Sequence, residues 1–414
     1  MELAGRLDQL TAADIAPIVQ EAVGDDRAWP LTWEFDALDW TGNPATVGLF
    51  RLTGVANTSE GREAPWIVVL KVVADTALTG DQSIDQSTHE PVGANYWKRE
   101  ALAYRSGLLT GWPGPLVPVR CYRVDEPSKN QVWIWLEARD GAGPHALWTI
   151  DQLAAAAYDF GALAAQWQSN VRDVVHYPWL AQRWLRGWVA LARVYAVDHF
   201  LKDDACGSGS PVEPFLTKGT RRRIADLISD ADDLLAAFEA LPVTLAHHDP
   251  QWSNLFAAAP GESPARTVAI DWGFFGIAPI GPDLGLHIGQ NIMSWGIDQR
   301  RAVEHDDAST AAYLKGLRDY GWDGEADSIK IARATAAALN AGTWLAMEVS
   351  WLCPEMAGRF GPDNAAWPTR VATKQEISTA TVVERWAGGF NYVLDLADEA
   401  RQLQPRVSRC AFAL

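Results

Sequence analysis

Two aspartates and an asparagine in the segment 243–276 have the types and spacing to hold a hard cation. Asp249 and Asn254 lie five positions apart in a short polar loop, and Asp271 directly follows the strand-like run 267–270. Carboxylate and amide oxygens are the ligands that Mg²⁺ prefers, and Mg²⁺ usually shares them with substrate phosphates. One carboxylate can also accept a proton from an attacking hydroxyl, so the set matches the requirements of phosphoryl transfer. The alternative is an ordinary polar β-hairpin.

The same residues form a longer pattern, His247-x-Asp249-x-x-x-x-Asn254 and then Asp271, followed by a Pro-Asp-Leu segment at Asp283. The pattern resembles the catalytic loop and metal-binding segment of the aminoglycoside phosphotransferase family, which includes choline, homoserine and sugar kinases of the protein-kinase-like fold. The resemblance implies that Asp249 is the catalytic base and that Asn254 and Asp271 bind Mg²⁺. It also implies that His247 and Asp283 are structural residues of the loop.

The resemblance further implies a lysine within a strand and a carboxylate on the following helix. Lys71 lies among apolar residues in the run 66–73, where a charge needs an anionic partner, either a nucleotide phosphate or a carboxylate. Glu100 is the predicted partner because its segment has helical periodicity. Its rival, Glu90, precedes a proline and lacks that periodicity. The alternative for Lys71 is an edge-strand lysine that discourages aggregation.

Two more segments are candidates for binding the nucleotide, ATP or GTP. The turn Gly42–Gly48 joins two predicted strands and could present backbone N–H groups to phosphates. However, it lacks a Gly-x-Gly-x-x-Gly pattern, and Pro44 removes one donor, so a plain connecting turn is an equal alternative. By resemblance alone, the adenine edge is placed at backbone groups near Glu137 and Ala138, where the last strand ends.

The resemblance implies that the acceptor of the phosphoryl group binds to the helical, C-terminal part of the chain. Trp344, Glu348 and Trp351 fall at i, i+4 and i+7 of a predicted helix, and aromatic faces beside a carboxylate suit an amino sugar or a quaternary ammonium group. An acidic stretch that includes Asp306 and Asp307 is the second candidate. The alternatives are core packing for the tryptophans and a solvated helix start for the acidic stretch.

The elements that must position these residues change character near residue 139. Before it, β-branched and aromatic runs alternate with turn residues, which is typical of an antiparallel sheet of about five strands. The predicted strands are 33–38, 46–56, 66–73, 117–124 and 131–137, with helices at about 5–23 and at 95–109. After it, apolar residues recur at helical spacing. The predicted helices are 151–167, 181–200, 221–240, 308–320, 326–352 and 377–404.

The patterns and the resemblance together predict an α+β, protein-kinase-like fold with two lobes. A nucleotide-binding lobe is expected over residues 1–138. A larger, mainly helical lobe with the catalytic loop and the acceptor site is expected over residues 139–414, after a hinge at the Asp-Gly pair 140–141.

Charge and composition limit the partners. The 414 residues include 35 basic and 52 acidic side chains, a net charge of −17, which disfavours nucleic acid and membrane surfaces and favours a cationic or neutral small ligand. Four widely spaced cysteines make a disulfide scaffold or a structural zinc site unexpected and suit a reducing compartment. With no secretory signal at the N-terminus, a cytoplasmic protein is predicted. Twenty-one tryptophans indicate large core residues or flat surfaces for stacking.

The predicted function is ATP-dependent transfer of the γ-phosphate to a hydroxyl of a small polar molecule: an aminoglycoside, a sugar or amino sugar, or an amino alcohol. A protein kinase is disfavoured because Asp271 is followed too closely by residues 274–285 to leave room for an activation segment. A catalytically degenerate nucleotide-binding regulator and a sugar kinase of primary metabolism, rather than of antibiotic resistance, stay as alternatives. The oligomeric state is left open.

Overall fold

The computed structural model describes residues 7–38, 45–75, 89–110, 114–139, 148–257, 266–353 and 365–411. The chain divides into two compact units, one formed by Met1–Trp112 and Pro118–Asp140 and the other by Pro113–Val117 and Gly141–Leu414.

The strands are β1 (Trp29–Ala37), β2 (Thr46–Asn57), β3 (Glu63–Ala74), β4 (Val117–Pro118), β5 (Cys121–Ser128), β6 (Gln131–Glu137), β7 (Ala181–Gln182), β8 (Val243–Ala246), β9 (Leu255–Phe256), β10 (Val268–Ala269) and β11 (Gly276–Pro279). The helices are α1 (Ala12–Val23), α2 (Arg99–Arg105), α3 (Ile150–Asn170), α4 (Trp184–Ala192), α5 (Asp198–Lys202), α6 (Lys218–Ser229), α7 (Ala231–Glu239), α8 (Pro282–Met293), α9 (Ala302–Asp319), α10 (Ala326–Trp351), α11 (Trp367–Gln375) and α12 (Thr379–Ala411).

The first unit is built on a five-stranded antiparallel sheet in the order β1-β2-β3-β6-β5. Helix α1 begins at a capping box between Thr11 and Asp14, in which each residue satisfies the other's backbone N–H. Its apolar face, with Ile15 and Ile18, belongs to the same buried cluster as Leu52 on β2 and other sheet residues. With the mainly helical remainder of the chain, this sheet confirms the predicted α+β fold class.

Two predicted elements of this unit are shorter in the structure. The predicted strand 117–124 is divided into β4 and β5. Helix α2 covers only Arg99–Arg105 of the predicted 95–109. The guanidinium of Arg99, fully buried, donates hydrogen bonds to the carbonyls of Pro91 and Ala94, at 3.1 and 2.9 Å, and to that of Gly93. These bonds hold the preceding segment in turns, so the helix begins at Arg99.

The second unit is mainly helical, and glycines allow two of its helices to pack closely. A Cβ at Gly161 of α3 would lie 2.2 Å from the carbonyl oxygen of Tyr313, and one at Gly316 of α9 would lie 2.2 Å from that of Tyr158. Side chains at these two positions would push α3 and α9 apart. Within the described ranges, no helix is both long enough and apolar enough to cross a bilayer.

The predicted helix 181–200 is wrong at its start. Ala181 and Gln182 form β7, which pairs in parallel with Gly276 and Ile277 of β11. A Cβ at Gly276 would lie 2.3 Å from the Ala181 carbonyl oxygen, so this pairing depends on glycine. Helix α4 begins at Trp184, continues through a π-helical segment and ends as α5. The predicted helix 221–240 is likewise divided, into α6 and α7 at Asp230.

One sequence-based expectation about cysteine is also wrong. Cys206 and Cys353, 147 residues apart, form a disulfide within the second unit. Nothing in their spacing indicates the pair because folding, rather than sequence proximity, brings the end of α10 beside the loop after α5. The inference of a reducing compartment from isolated thiols therefore loses its basis, and cytoplasmic location stays a prediction.

Candidate active site

The loop that follows β8 is held by a buried carboxylate. Asp283, in the first turn of α8, accepts the backbone N–H groups of His247 and His248, both at 2.9 Å. Burial raises the pKa of Asp283 to about 6, against the lowering effect of these two hydrogen bonds. The helix N-terminus further favours the carboxylate form. The arrangement fixes the backbone immediately before Asp249.

His247 connects this loop to the segment that carries Asp271. Its Nδ1 accepts the backbone N–H of Asp249 at 3.2 Å, so its Nε2 carries the proton and donates to the carbonyl of Ile270 at 2.9 Å. The imidazole is fully buried. With both ring nitrogens bound to backbone groups, His247 has the geometry of a structural residue rather than of a proton acceptor.

The structure brings Asp249 and Asn254 into contact and places Asp271 two residues after the end of β10. Asn254 Nδ2 donates to Asp249 Oδ2 at 2.7 Å and to the Asp249 carbonyl at 3.1 Å. Strands β9 and β10 pair as a hairpin, and the next bond runs from the Ile270 N–H to the Asn254 carbonyl at 2.9 Å. Asp271 therefore directly follows Ile270, which is hydrogen-bonded to Asn254.

Two residues of this region have a left-handed backbone that only glycine adopts without cost. His248 has a φ of 67° and Asp271 a φ of 59°. Such conformations cost on the order of 1–3 kcal/mol and cluster at functional sites. His248 is held in place because its Nδ1–H donates to the Phe274 carbonyl at 2.8 Å, and Asp271 because its side chain accepts the Gly273 N–H at 3.4 Å.

In the first unit, Lys71 and Glu100 form a buried ion pair. Lys71 Nζ lies 2.6 Å from Glu100 Oε2, and the two side chains are only 8% and 3% exposed. Glu90 is exposed, so the structure pairs Lys71 with Glu100 rather than with its rival. Lys71 is also paired on both sides, with β2 and β6, which excludes an edge-strand lysine.

The structure gives less support to the other residues that were predicted to bind the nucleotide. Gly42 lies outside the described residues, and of the Gly42–Gly48 turn only its end is described. The backbone N–H of Glu137 already donates to the Arg120 carbonyl at 2.8 Å, so this N–H is bound within the protein. Ala138 follows the end of β6 and is half-buried. Their contact with adenine stays a prediction.

Asp306, the acidic acceptor candidate, is engaged inside the second unit. Its Oδ1 accepts from Arg333 and from Thr310, at 2.8 and 2.9 Å, and its Oδ2 accepts from the Tyr392 hydroxyl at 2.5 Å. The side chain is buried. Asp306 thus belongs to a polar network between α9, α10 and α12, whereas Asp307 is exposed.

The acceptor candidates on α10 differ from one another in their surroundings. Trp344 and Trp351 are partly exposed and pack edge to face, with ring centroids 5.6 Å apart. Glu348 is buried and accepts a hydrogen bond from Trp386 Nε1 at 2.8 Å. Burial raises the pKa of Glu348 to about 7, against the lowering effects of hydrogen bonds from Trp386 and Trp344 and of the charge of Arg370.

Sequence reasoning missed two tryptophans that connect α10 with the catalytic loop. Trp344 stacks on Trp188 with centroids 5.6 Å apart, Trp188 stacks on Trp184 at 5.9 Å, and Trp184 stacks on His248 at 5.2 Å. The interplanar angles are 20°, 20° and 18°. The i, i+4 spacing of Trp184 and Trp188 was the available indication, the same spacing that singled out Trp344 and Glu348.

Comparison with known proteins gives similarity only at the level of solved structures. No protein-family model and no curated protein matches the sequence. The chain is similar to a microcompartment-associated aminopropanol kinase, with 14% identity, a TM-score of 0.48, and coverage of 91% of this chain and 99% of that one. It is also similar to a choline kinase from Cryptosporidium parvum Iowa II, with 12% identity, a TM-score of 0.49, and coverage of 93% and 100%. A spectinomycin phosphotransferase in complex with ADP and spectinomycin has 12% identity, a TM-score of 0.45, and coverage of 91% and 98%.

Proposed function

We propose that the protein is a phosphotransferase that moves the γ-phosphate of ATP or GTP to a hydroxyl of a small polar molecule. The observation that carries the proposal is the 2.7 Å hydrogen bond from Asn254 to Asp249. The hydrogen bond from the Ile270 N–H to the Asn254 carbonyl supports including Asp271, the next residue, in the same site. Two carboxylates and an amide oxygen are groups that can act as base and metal ligands in phosphoryl transfer.

Asp249 is the proposed general base. Its two carboxylate oxygens accept from different amides, Oδ1 from Gln251 Nε2 at 3.1 Å and Oδ2 from Asn254 Nδ2 at 2.7 Å. Hydrogen bonds donated to a carboxylate favour its charged form and fix its direction. The side chain is half-buried, so an oriented carboxylate can reach an acceptor hydroxyl. It would align that hydroxyl and take its proton as the phosphorus–oxygen bond forms.

Asn254 and Asp271 are the proposed Mg²⁺ ligands. Because Asn254 Nδ2 is directed at Asp249, the amide oxygen is the atom of Asn254 that can coordinate a cation. The left-handed backbone at Asp271 sets the direction of its carboxylate after β10. An amide oxygen and a carboxylate fit a hard cation. When bound, Mg²⁺ would neutralise charge on the phosphates.

Lys71 is the proposed phosphate-binding cation of the first unit. The 2.6 Å pair with Glu100 holds the ammonium group at a fixed position on β3. A buried ion pair is weak evidence for stability because desolvation offsets most of its attraction. Its retention is therefore better explained by a requirement to hold a cation for an anionic ligand.

The proposed acceptor surface is the exposed part of Trp188 and Trp344. Stacked rings run from these two tryptophans through Trp184 to His248, the neighbour of Asp249. An acceptor lying on this surface would use stacking or cation–π contact, which suits a sugar ring or an ammonium group. The buried Glu348 accepts a hydrogen bond from Trp386 and is therefore not proposed to meet the acceptor. Asp306 is left out because both its oxygens are bound within the protein.

The test begins with nucleotide binding and then measures turnover. Calorimetric titration with Mg-ATP and Mg-GTP should show binding to the wild-type protein, and absence of binding of either nucleotide would overturn the proposal. ATP consumption is then measured with aminoglycosides, amino sugars, hexoses, maltose and choline, together with aminopropanol and spectinomycin from the similar proteins. The best acceptor is used for the variants.

The variants separate the base from the metal ligand. Asp249→Ala should lower kcat by about 10²–10⁴ while the nucleotide still binds, and unchanged turnover would overturn the mechanism. Asp271→Ala should lose Mg²⁺-dependent nucleotide binding, and unchanged Mg-ATP affinity would show that the metal assignment is wrong. Asp233→Asn, an exposed aspartate on α7, is the matched control and should keep both properties.

A further inference from the structure

A second cluster with metal-binding chemistry lies in the helical unit and is not used by the proposed phosphotransferase. The sulfurs of Cys206 and Cys353 and one ring nitrogen of His199 all lie within 4.8 Å of one another. Both cysteines are 1% exposed. Among the described residues, this is the one group of at least three His, Cys, Asp or Glu side chains that could hold a metal ion.

One ring nitrogen of the histidine in this cluster lacks a hydrogen-bond partner among the described residues. His199 Nε2 is buried and has none in the part of the chain that the structure describes. A buried imidazole nitrogen without a partner loses its hydration without compensation, at a cost of about 1–3 kcal/mol. Beside two sulfurs, a metal ion would supply the missing interaction. The nitrogen therefore gives an indication of a ligand that is independent of the two cysteines.

The loop that carries Cys206 is folded so that its sulfur faces α10. Successive turns close it: the Cys206 N–H donates to the Asp203 carbonyl at 3.0 Å, and the Ser208 N–H to the Ala205 carbonyl at 2.7 Å. Arg221 donates to the Cys206 carbonyl at 2.6 Å. The cysteine is thus positioned by its own loop and by α6, so its place does not depend on a covalent bond to Cys353.

The spacing fits a tetrahedral zinc site with little movement. Zinc binds thiolate at about 2.3 Å and imidazole at about 2.0–2.1 Å, so its ligand atoms lie roughly 3.5–3.8 Å apart. The histidine nitrogen would need to approach by about 1.3 Å at most, and the two sulfurs would separate once reduced. Two thiolates balance the charge of Zn²⁺, which removes the cost of burying either charge alone. Three protein ligands leave a fourth position for water.

We propose that His199, Cys206 and Cys353 form a zinc site. The site binds zinc when the Cys206–Cys353 disulfide is reduced, and it releases zinc when the disulfide forms again. Reduction by a thiol, R–SH, breaks the S–S bond: two R–SH give two cysteine thiols and one R–S–S–R. Each cysteine thiol then releases one proton as Zn²⁺ binds the two thiolates and the histidine nitrogen. In the reverse direction, a peroxide takes two electrons from the thiolates and two protons. The disulfide and two waters form from hydrogen peroxide, and Zn²⁺ is released.

The test compares metal binding by the oxidised and reduced forms of the whole protein. Co²⁺ is added as a spectroscopic substitute for zinc to protein reduced with a phosphine and to untreated protein. The reduced form should bind about one equivalent and show a thiolate-to-cobalt charge-transfer band, and added Zn²⁺ should remove that band. The oxidised form should show neither. Absence of the band from the reduced protein would overturn the proposal, as would an equal band from the oxidised protein.

Substitutions identify the ligands. Cys206→Ser and Cys353→Ser should each lose the band, and His199→Gln should raise the Kd for Co²⁺ at least about tenfold. Cys121→Ser is the matched control, since Cys121 is a free cysteine in the other unit, and it should leave the band unchanged. A band that survives in Cys206→Ser or Cys353→Ser, or an unchanged Kd in His199→Gln, would overturn the three-ligand site. Far-ultraviolet circular dichroism of each variant confirms that it is folded.

Discussion

Replacement of Glu348 by glutamine tests whether this carboxyl group is held inside the protein or serves as an open binding residue. The side chain is 8% exposed on α10 and accepts a hydrogen bond from Trp386 at 2.8 Å. Burial outweighs this hydrogen bond and the nearby charge of Arg370, so the pKa of the folded protein is raised to about 7 from 4.5. Glutamine keeps the shape and removes the titration.

The sign of the effect follows from proton uptake. Between pH 7 and pH 4.5 the folded protein binds a proton at Glu348 that the unfolded chain does not bind, so the free energy of unfolding rises as the pH falls. This stabilisation is complete below pH 4.5 and is lost as the pH rises through about 7. A rise from 4.5 to about 7 corresponds to roughly 3 kcal/mol. An open carboxylate on the surface would give almost none.

The assay is urea unfolding followed by tryptophan fluorescence at several values between pH 5 and pH 8. When the pH falls from 8 to 5, the free energy of unfolding of the wild-type protein should rise by at least about 2 kcal/mol relative to that of Glu348→Gln. Glu325→Gln, at an exposed residue preceding the same helix, should show a constant difference from the wild type. A difference between the wild type and Glu348→Gln that stays constant to within about 0.5 kcal/mol would refute the reasoning.

Three further sets of substitutions test how this region is held, each by urea unfolding. Asp283→Ala removes the carboxylate that accepts two buried N–H groups of the loop before Asp249 and should cost roughly 3 kcal/mol; a loss below about 0.5 kcal/mol would contradict this role of Asp283. Lys71→Ala and Glu100→Ala should each cost about 3–5 kcal/mol, and the double variant less than their sum, because each single variant removes one partner of the same buried ion pair. Additive losses would contradict this coupling. In Gly276→Ala the new Cβ would lie 2.3 Å from the backbone of β7, which should lower the free energy of unfolding by at least about 2 kcal/mol. In the control Gly388→Ala the new Cβ has no atom within 4 Å, so the protein should not be destabilised. Equal losses in the two variants would refute the close approach of the strands at Gly276.

The parts of the fold that the sequence predicted are those specified by local pattern. The β-branched and aromatic runs around Lys71 and before Glu137 predicted two central strands of the sheet, because strand propensity is a property of the local sequence. The capping box at Thr11 is likewise complete within four residues. The contact between Asp249 and Asn254 was predictable for the same reason, since a five-residue spacing in a tight loop leaves few arrangements.

The parts that the sequence did not predict depend on pairing between distant segments. Ala181 and Gln182 are strand residues only because β11, more than ninety positions later, offers an edge. The Cys206–Cys353 disulfide spans 147 residues. Asp306 has the composition of a solvated helix start, and its burial follows from the guanidinium of Arg333 on the neighbouring helix. Periodicity carries no information about such partners.

Several features of the second unit meet on the last turns of α10. Trp344 stacks on the ring that continues to the catalytic loop, Glu348 one turn later binds the indole of Trp386, and Cys353 just beyond the helix is joined to Cys206. The partners in these three contacts belong to different elements, namely α4, α12 and the loop after α5. Because stacking geometry is sensitive to small rotations of a helix, the orientation of Trp344 depends on all three. A tryptophan held in this way presents a fixed face at little further cost in side-chain entropy, as a preorganised acceptor surface requires.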